Sequence, residues 1–206
     1  MIAIVDYGMG NRRSVEKALE RVGARPLLTA DPAAIAAAVG LVVPGVGAFP
    51  EAMRRLRDSG LDETIRQRAG AGTPLLGICL GMQLLFDASD EHGGATGLGL
   101  LAGSVEPLVA PGLKLPHIGW NLIRWTRSSP LTEGLGEASA FYHVHSFAPR
   151  PAEEPDVLGR GEYGAPFVSA VAHGDIYGVQ FHPEKSSAAG LRLLRNFAAI
   201  CARTPV

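Results

Sequence analysis

The chain opens on four apolar residues, Ile2–Val5, bounded by Asp6 and Gly8, a pattern that predicts a buried strand. A helix follows, opened by Asn11 or Ser14 and closed by Gly23, because Val15, Ala18, Leu19 and Val22 repeat at helical spacing. The apolar stretch from Ala33 to Phe49 is broken by Gly40, Pro44, Gly45 and Gly47. It reads as the end of a helix and then a buried strand over 41–43, not as a membrane span. Helices are predicted over 51–57 and 61–69, a third strand over 74–78, and the start of another helix over 81–87. Alternation of strand and helix predicts a mostly parallel central sheet with helices on both faces, a three-layer α/β architecture.

The pattern changes after residue 98. Short, turn-rich, strand-like runs at 103–108, 123–125 and 140–145 predict antiparallel additions to the edge of that sheet. Two more runs, 167–173 and 177–181, flank Gly174-Asp175, a strong hairpin signal. The Pro-rich, acidic stretch 149–155 reads as a surface loop, and 188–202 as a closing amphipathic helix. No repeat or linker divides the chain, so residues 1–206 read as one domain.

Composition narrows the function classes. The 206 residues are 47% hydrophobic and 19% charged, with a formal net charge of −1. Nothing in that balance points to nucleic acid or to an anionic membrane. Two cysteines, Cys79 and Cys201, are too few for a disulfide framework. No leader pattern follows Met1, and the expected compartment is the cytoplasm. No compact group of His, Cys and carboxylates has ligand spacing, so neither metal nor cofactor is expected. Gly8-Met9-Gly10 follows a strand, but it lacks the third glycine of a dinucleotide loop.

The candidate chemistry centres on Gly77-Ile78-Cys79-Leu80-Gly81. This is the spacing of a strand-to-helix elbow, whose tip residue is forced clear of the sheet and whose neighbours two away must be small. The elbow also sets a sulfur at a helix start, where free N–H groups favour the thiolate and the N–H of Leu80 can serve an oxyanion. On spacing alone a second reading stays open, a buried structural thiol. Cys201, on the apolar face of the last helix, reads as core. His182-Pro183-Glu184 ends the 177–181 strand, at the sheet edge where Cys79 also ends its strand. Residues two apart with an extended link face the same way, so Glu184 can fix the tautomer of His182 and free its other nitrogen to act as a base. A surface histidine is the alternative for His182 taken alone.

The runs Gly77-Ile78-Cys79-Leu80-Gly81-Met82-Gln83 and Val179-Gln180-Phe181-His182-Pro183-Glu184-Lys185-Ser186 together resemble the class I, triad-type glutamine amidotransferases. Asp6-Tyr7-Gly8-Met9-Gly10-Asn11, Pro44-Gly45-Val46-Gly47-Ala48-Phe49, Pro116-His117-Ile118-Gly119-Trp120-Asn121 and Val144-His145-Ser146 make the set similar to the glutaminase subunits (HisH) of imidazole glycerol phosphate synthase. The resemblance covers nearly the whole chain and implies a flavodoxin-like fold. It implies hydrolysis of L-glutamine to glutamate and ammonia through a thioester on Cys79, with His182 as base and Glu184 as its orienter. It further implies an oxyanion site from Leu80 and the Val46–Gly47 turn, and a substrate pocket with Gly45, Gln83, His145 and Ser146. The ammonia would pass to a separate (β/α)₈-barrel cyclase in a heterodimer, which makes imidazole glycerol phosphate and AICAR in histidine biosynthesis. Asn11, Trp120, Tyr142 and Lys185 match positions at that interface. Bland roles stand beside these four: helix cap, core ring, sheet-edge ring and solvated charge. Arg12, His143 and Phe147 depart from the subfamily pattern. The alternatives are a glutaminase subunit of another synthase and a partnerless γ-glutamyl Cys hydrolase.

Overall fold

The computed structural model describes residues 1–203. Its main sheet has nine strands in the order β2-β1-β3-β4-β13-β12-β11-β8-β9. The parallel half comprises β1 (Ile2–Val5), β2 (Pro26–Thr29), β3 (Gly40–Gly45), β4 (Leu75–Cys79) and β13 (Ile176–Val179). The antiparallel half comprises β8 (His117–Trp125), β9 (Ala138–His145), β11 (Val157–Tyr163) and β12 (Ala165–His173). Successive residues of the central strands enter opposite cores, as the two-residue period of a strand requires. Ala3, Val5, Leu41 and Val43 pack with α2 (Pro32–Ala36), α3 (Phe49–Asp58) and α4 (Leu61–Gly70). Ile2, Ile4, Val42 and Leu76 pack with α1 (Arg12–Arg21) and α6 (Ser187–Arg203). The expected three-layer α/β architecture is therefore present.

Several elements differ from the sequence pattern. The helix expected over 81–87 is one turn only, α5 (Leu80–Gln83). It stops because the carbonyls of Leu84 and Leu85 accept from the N–H groups of Leu98, Leu100 and Leu101 instead of continuing the helix. The chain then enters a second sheet built from β5 (Phe86–Ser89), β6 (Ala95–Thr96), β7 (Leu101–Pro107) and β10 (Phe147–Pro151). Part of the stretch expected as a loop, Pro149 to Pro151, lies in β10, at the edge of that sheet where proline is tolerated. The remainder includes a short 3₁₀ turn over Glu154–Asp156. The run expected over 103–108 on the main sheet's edge belongs instead to this second sheet, as β7, and in the main sheet two strands escaped the pattern. β2 begins on Pro26, and β11 carries Gly159 and Gly161, whose missing side chains make room for Trp125, Ile123 and Phe167. Cys201 is buried beside Gly40, in the expected core role.

The sheet curls so that β9 crosses the end of β13. The His182 N–H donates to the Tyr142 carbonyl at 2.9 Å, and the Tyr142 N–H donates to Ser186 Oγ at 3.0 Å. Ser186 Oγ–H in turn donates to the His182 carbonyl at 2.6 Å. The segment carrying His182 and Glu184 is thus pinned by backbone bonds to a distant strand.

Candidate active site

Cys79 sits where β4 ends and α5 begins. Parallel pairing sets Ile78 opposite both Pro44 and Val179, and Cys79 opposite Gly45. Its backbone has φ 55° and ψ −112°, a region costly for a residue with a Cβ. The flanking glycines are required by space. A Cβ on Gly77 would lie 2.6 Å from the Gly81 carbonyl oxygen, and one on Gly81 would fall inside the Val43 carbonyl oxygen. With only one turn behind it, α5 contributes free N–H groups at the sulfur and little accumulated dipole.

His182 and Glu184 stand together as expected, but through a 3₁₀ turn over Pro183–Lys185 and not through the extended link read from the sequence. His182 Nδ1 and Glu184 Oε1 are 2.9 Å apart, and both side chains are almost wholly buried. Burial pushes His182 down, but hydrogen bonds to Cys79 and Glu184 and the charges behind them outweigh it and raise it to about 10. The stability this gives is complete below the ordinary imidazole range and is lost as pH rises through about 10. An acceptor at Nδ1 leaves Nε2 to exchange a proton with the sulfur, the arrangement needed for an activated nucleophile.

Asn11, expected at a partner interface, donates from Nδ2 to the same Glu184 oxygen at 3.1 Å. It is presented by the loop after β1, where Asp6 accepts from the Gly8 N–H and pairs with Arg12. The departure at Arg12 thus has a structural role, closing the loop that carries Asn11. Tyr7 O–H donates to the Pro44 carbonyl at 2.6 Å and holds the glycine-rich turn after β3. Burial pushes the Tyr7 phenol up, and Cys79 adds to the rise.

A cavity of about 280 Å³ opens over the sulfur, small among ligand pockets. Its lining includes Val46, Gly47, Leu80, Gln83, His145 and Ser146, all named from the sequence. Gly45 lies beneath it, fully buried, where a Cβ would meet Tyr7 and Leu80. Lys185 also lines it, with Nζ 5.9 Å from the centre of the Tyr142 ring. Trp120 and Tyr142 meet edge to face at 6.3 Å, on the face of β8 where Ile118, Trp120 and Leu122 are 50–60% exposed. The larger cavity, about 870 Å³, lies elsewhere, lined by Arg124, Arg127 and Arg203, with no cysteine or histidine in its lining.

Some contributors were missed from the sequence. Glu91 lines the cavity, and its Oε2 accepts from the Phe49 N–H at 2.7 Å. Gln180 is fully buried and its Nε2 is 3.7 Å from Cys79 Sγ. It lay in a quoted motif but carried no spacing signal, since β13 ends at Val179 and Pro183–Lys185 is a 3₁₀ turn. Glu91 carries no mark either, since it arrives from a loop of the second sheet.

Behind the cavity, His117, His143 and His145 form a stacked group on one face of β8 and β9. His145 Nδ1 faces the Phe147 carbonyl at 2.8 Å and must carry the proton. His145 Nε2 then accepts from His117 Nδ1 at 3.0 Å, and His117 Nε2 from Asn121 Nδ2 at 3.4 Å. The same logic has His143 donate to the Phe141 carbonyl and accept from Ser169 Oγ at 2.8 Å. Burial pushes all three down, His143 to about 2 and His145 to about 4, aided for both by neighbouring histidines. These rings stay neutral when folded but protonate when unfolded, so their stabilisation is complete above about pH 6.5 and falls as pH drops below it. His143→Phe should therefore flatten the loss of stability between about pH 6.5 and 4 by about 1.4 kcal/mol per pH unit. Urea unfolding at a series of pH values measures this; an unchanged slope would remove His143 from the acid response.

The comparisons with known proteins agree with this geometry. The family model for class I glutamine amidotransferases matches residues 3–201. The chain is 51% identical over 199 residues to the imidazole glycerol phosphate synthase subunit HisH of Moorella thermoacetica, covering 97% of this chain and 94% of that protein. It is 47% identical to the HisH subunit of Geobacillus thermodenitrificans, covering 97% and 96%. A solved glutamine amidotransferase structure superposes with a TM-score of 0.75 at 22% identity, covering 98% of both chains, which bears on the fold alone. The chain belongs to the class I glutamine amidotransferase family, in the branch of the HisH subunits.

Proposed function

We propose that the chain is the glutaminase subunit of an imidazole glycerol phosphate synthase. The observation that carries this is a strained elbow cysteine facing a buried His182–Glu184 pair in a small charged cavity. In the reaction, His182, whose proton affinity is raised by Cys79 and Glu184, holds the proton of the Cys79 thiol, and Cys79 Sγ attacks the side-chain amide carbon of glutamine. The tetrahedral oxyanion is met by the Leu80 N–H and by an N–H of the Val46–Gly47 turn. His182 returns the proton to the departing nitrogen, ammonia leaves, and a thioester remains. Water, deprotonated by His182, attacks the thioester; glutamate departs and the thiol is restored.

The substrate is a zwitterion, and the cavity offers one carboxylate, Glu91. Glu91 would take the α-ammonium, and backbone N–H groups at Ser146 and Phe147 the α-carboxylate, with Gln83 beside the chain. Glu91→Gln should raise KM for glutamine about ten-fold or more, the value of one charge-assisted hydrogen bond. Ammonia-driven turnover of the complex should not change. An unaltered KM would place the α-ammonium elsewhere.

The partner is a (β/α)₈-barrel cyclase that receives the ammonia. An apolar face of Ile118, Trp120 and Leu122, continuous through Tyr142 with Lys185 at the cavity, supports this docking site. Asn11, bonded to Glu184 and also matching an interface position, would couple docking to the triad. The test is glutamine hydrolysis with and without the barrel subunit. A rise of at least about ten-fold on mixing, together with a heterodimer by size exclusion, is expected. Full turnover by the isolated chain, or no complex, would overturn the assignment.

A further inference from the structure

Gln180 is a fully buried amide whose side chain bonds to Gln83 and to Cys79. Its backbone N–H donates to the Ser169 carbonyl at 2.8 Å, which fixes the origin of the side chain. The orientation of the amide follows from one backbone carbonyl. Phe147 O can only accept, so the Gln83 atom 3.2 Å from it is the N–H₂ group. The second hydrogen of that group points to Gln180 at 3.0 Å and requires a carbonyl there. Gln180 Nε2 is then left facing Cys79 Sγ at 3.7 Å, within reach of a hydrogen bond to sulfur. On another side of the sulfur, the Val144 carbonyl oxygen at 3.8 Å can accept the thiol hydrogen.

We propose that Gln180 is a further catalytic residue of this site: its amide N–H donates to Cys79 Sγ and holds the sulfur ready for attack, while its carbonyl locks Gln83 into the pocket. The inference deepens the glutaminase reading and rests on it for the reaction served. The direct contact with sulfur can be tested without glutamine. A donor directed at a sulfur favours its charged form, because a thiolate accepts more strongly than a thiol. In one side chain, Gln180 joins the nucleophile to the residue proposed to line the substrate pocket. Its loss should therefore affect both the reactivity of the sulfur and the binding of glutamine.

The test is the pH dependence of Cys79 alkylation by iodoacetamide, followed by mass spectrometry of the intact chain. Cys201 is no competitor, since burial pushes its thiol up to about 12. Gln180→Met keeps length and bulk but has no donor; Gln180→Glu keeps shape but presents only oxygen. Both should move the alkylation midpoint upward, Gln180→Met by about one pH unit, a ten-fold loss of reactive sulfur at neutral pH. In the complex with the barrel subunit, kcat for glutamine should fall about ten-fold and KM should rise, with ammonia-driven synthesis intact. A residue that only supported the fold would lower the melting temperature without moving the midpoint, and a midpoint equal to wild type in a folded variant overturns the proposal. Where a variant does not fold, the wild type decides: the ¹⁵N-labelled Gln180 side-chain amide should shift in step with Cys79 titration, and a silent amide refutes the contact. A midpoint that moves in a chain unable to hydrolyse glutamine would retain the contact and reject the glutaminase reading.

Discussion

Replacing Cys79 with alanine is expected to remove glutamine-driven synthesis by the complex, by at least about 10⁴-fold, while synthesis from added ammonium salt continues at the wild-type rate. The two halves of that result come from different places. Glutamine-driven turnover by the proposed route needs a covalent bond to sulfur, and the only other cysteine, Cys201, is buried beside Gly40, at the opposite end of β3 from Gly45 and the elbow. His182 and Glu184 remain in Cys79→Ala but have no atom to activate. Ammonia-driven turnover belongs to the barrel partner and needs only that the complex form. The substitution removes one buried atom at a site already lined by a cavity, so docking should persist. A variant that kept glutamine-driven turnover would rule out the thioester route. One that lost the ammonia-driven reaction as well would show that the elbow also shapes the interface.

The second large effect is structural. Gly81→Ala should prevent the folded chain from accumulating, with a loss of more than about 4 kcal/mol. The added Cβ would occupy the position of the Val43 carbonyl oxygen, in β3, the neighbour of β4. Neither side can yield, because both are backbone in the most buried part of the sheet. Accommodation would require α5 to lift from β3, which pulls Leu80 and Met82 out of the core and opens the elbow. Circular dichroism and the fraction recovered soluble are the readouts. Gly60→Ala, at a turn with open space around it, should cost far less and serves as the comparison. A stable Gly81→Ala chain would mean that the close approach at the elbow is not required.

Much of this was legible in the sequence because it rests on local rules. The buried strands of the parallel half declared themselves as continuous apolar runs, and the elbow declared itself through spacing. His182 and Glu184 were found from their closeness in sequence at a strand end, although the link between them is a 3₁₀ turn and not the extended one their spacing suggested. What stayed hidden depended on non-local pairing. The run Leu84-Leu85-Phe86 continues a helical pattern perfectly well; only the N–H groups of Leu98, Leu100 and Leu101, more than ten residues on, turn it into a strand. Glu91 reaches the cavity from the second sheet, whose existence the pattern did not signal. Gln180 lay within a motif already quoted, yet a glutamine beside a catalytic histidine has no property that spacing alone reveals. Its meaning comes from Phe147 and Gln83, which are distant in sequence. His117 and His143 likewise acquire a role only once β8 and β9 are paired.

The pairing of Cys79 with Gly45 across β4 and β3 has a further consequence. The strand that carries Cys79 and the strand that leads into the Val46–Gly47 turn proposed for the oxyanion lie one strand repeat apart, about 4.8 Å, fixed by main-chain hydrogen bonding. Main-chain bonds set this ruler, so exchange of side chains on distant strands does not alter it. Residues on the outer faces of β8 and β9 are therefore free to diverge as they track a partner's surface, and the spacing on which the chemistry depends is inherited unchanged with the sheet.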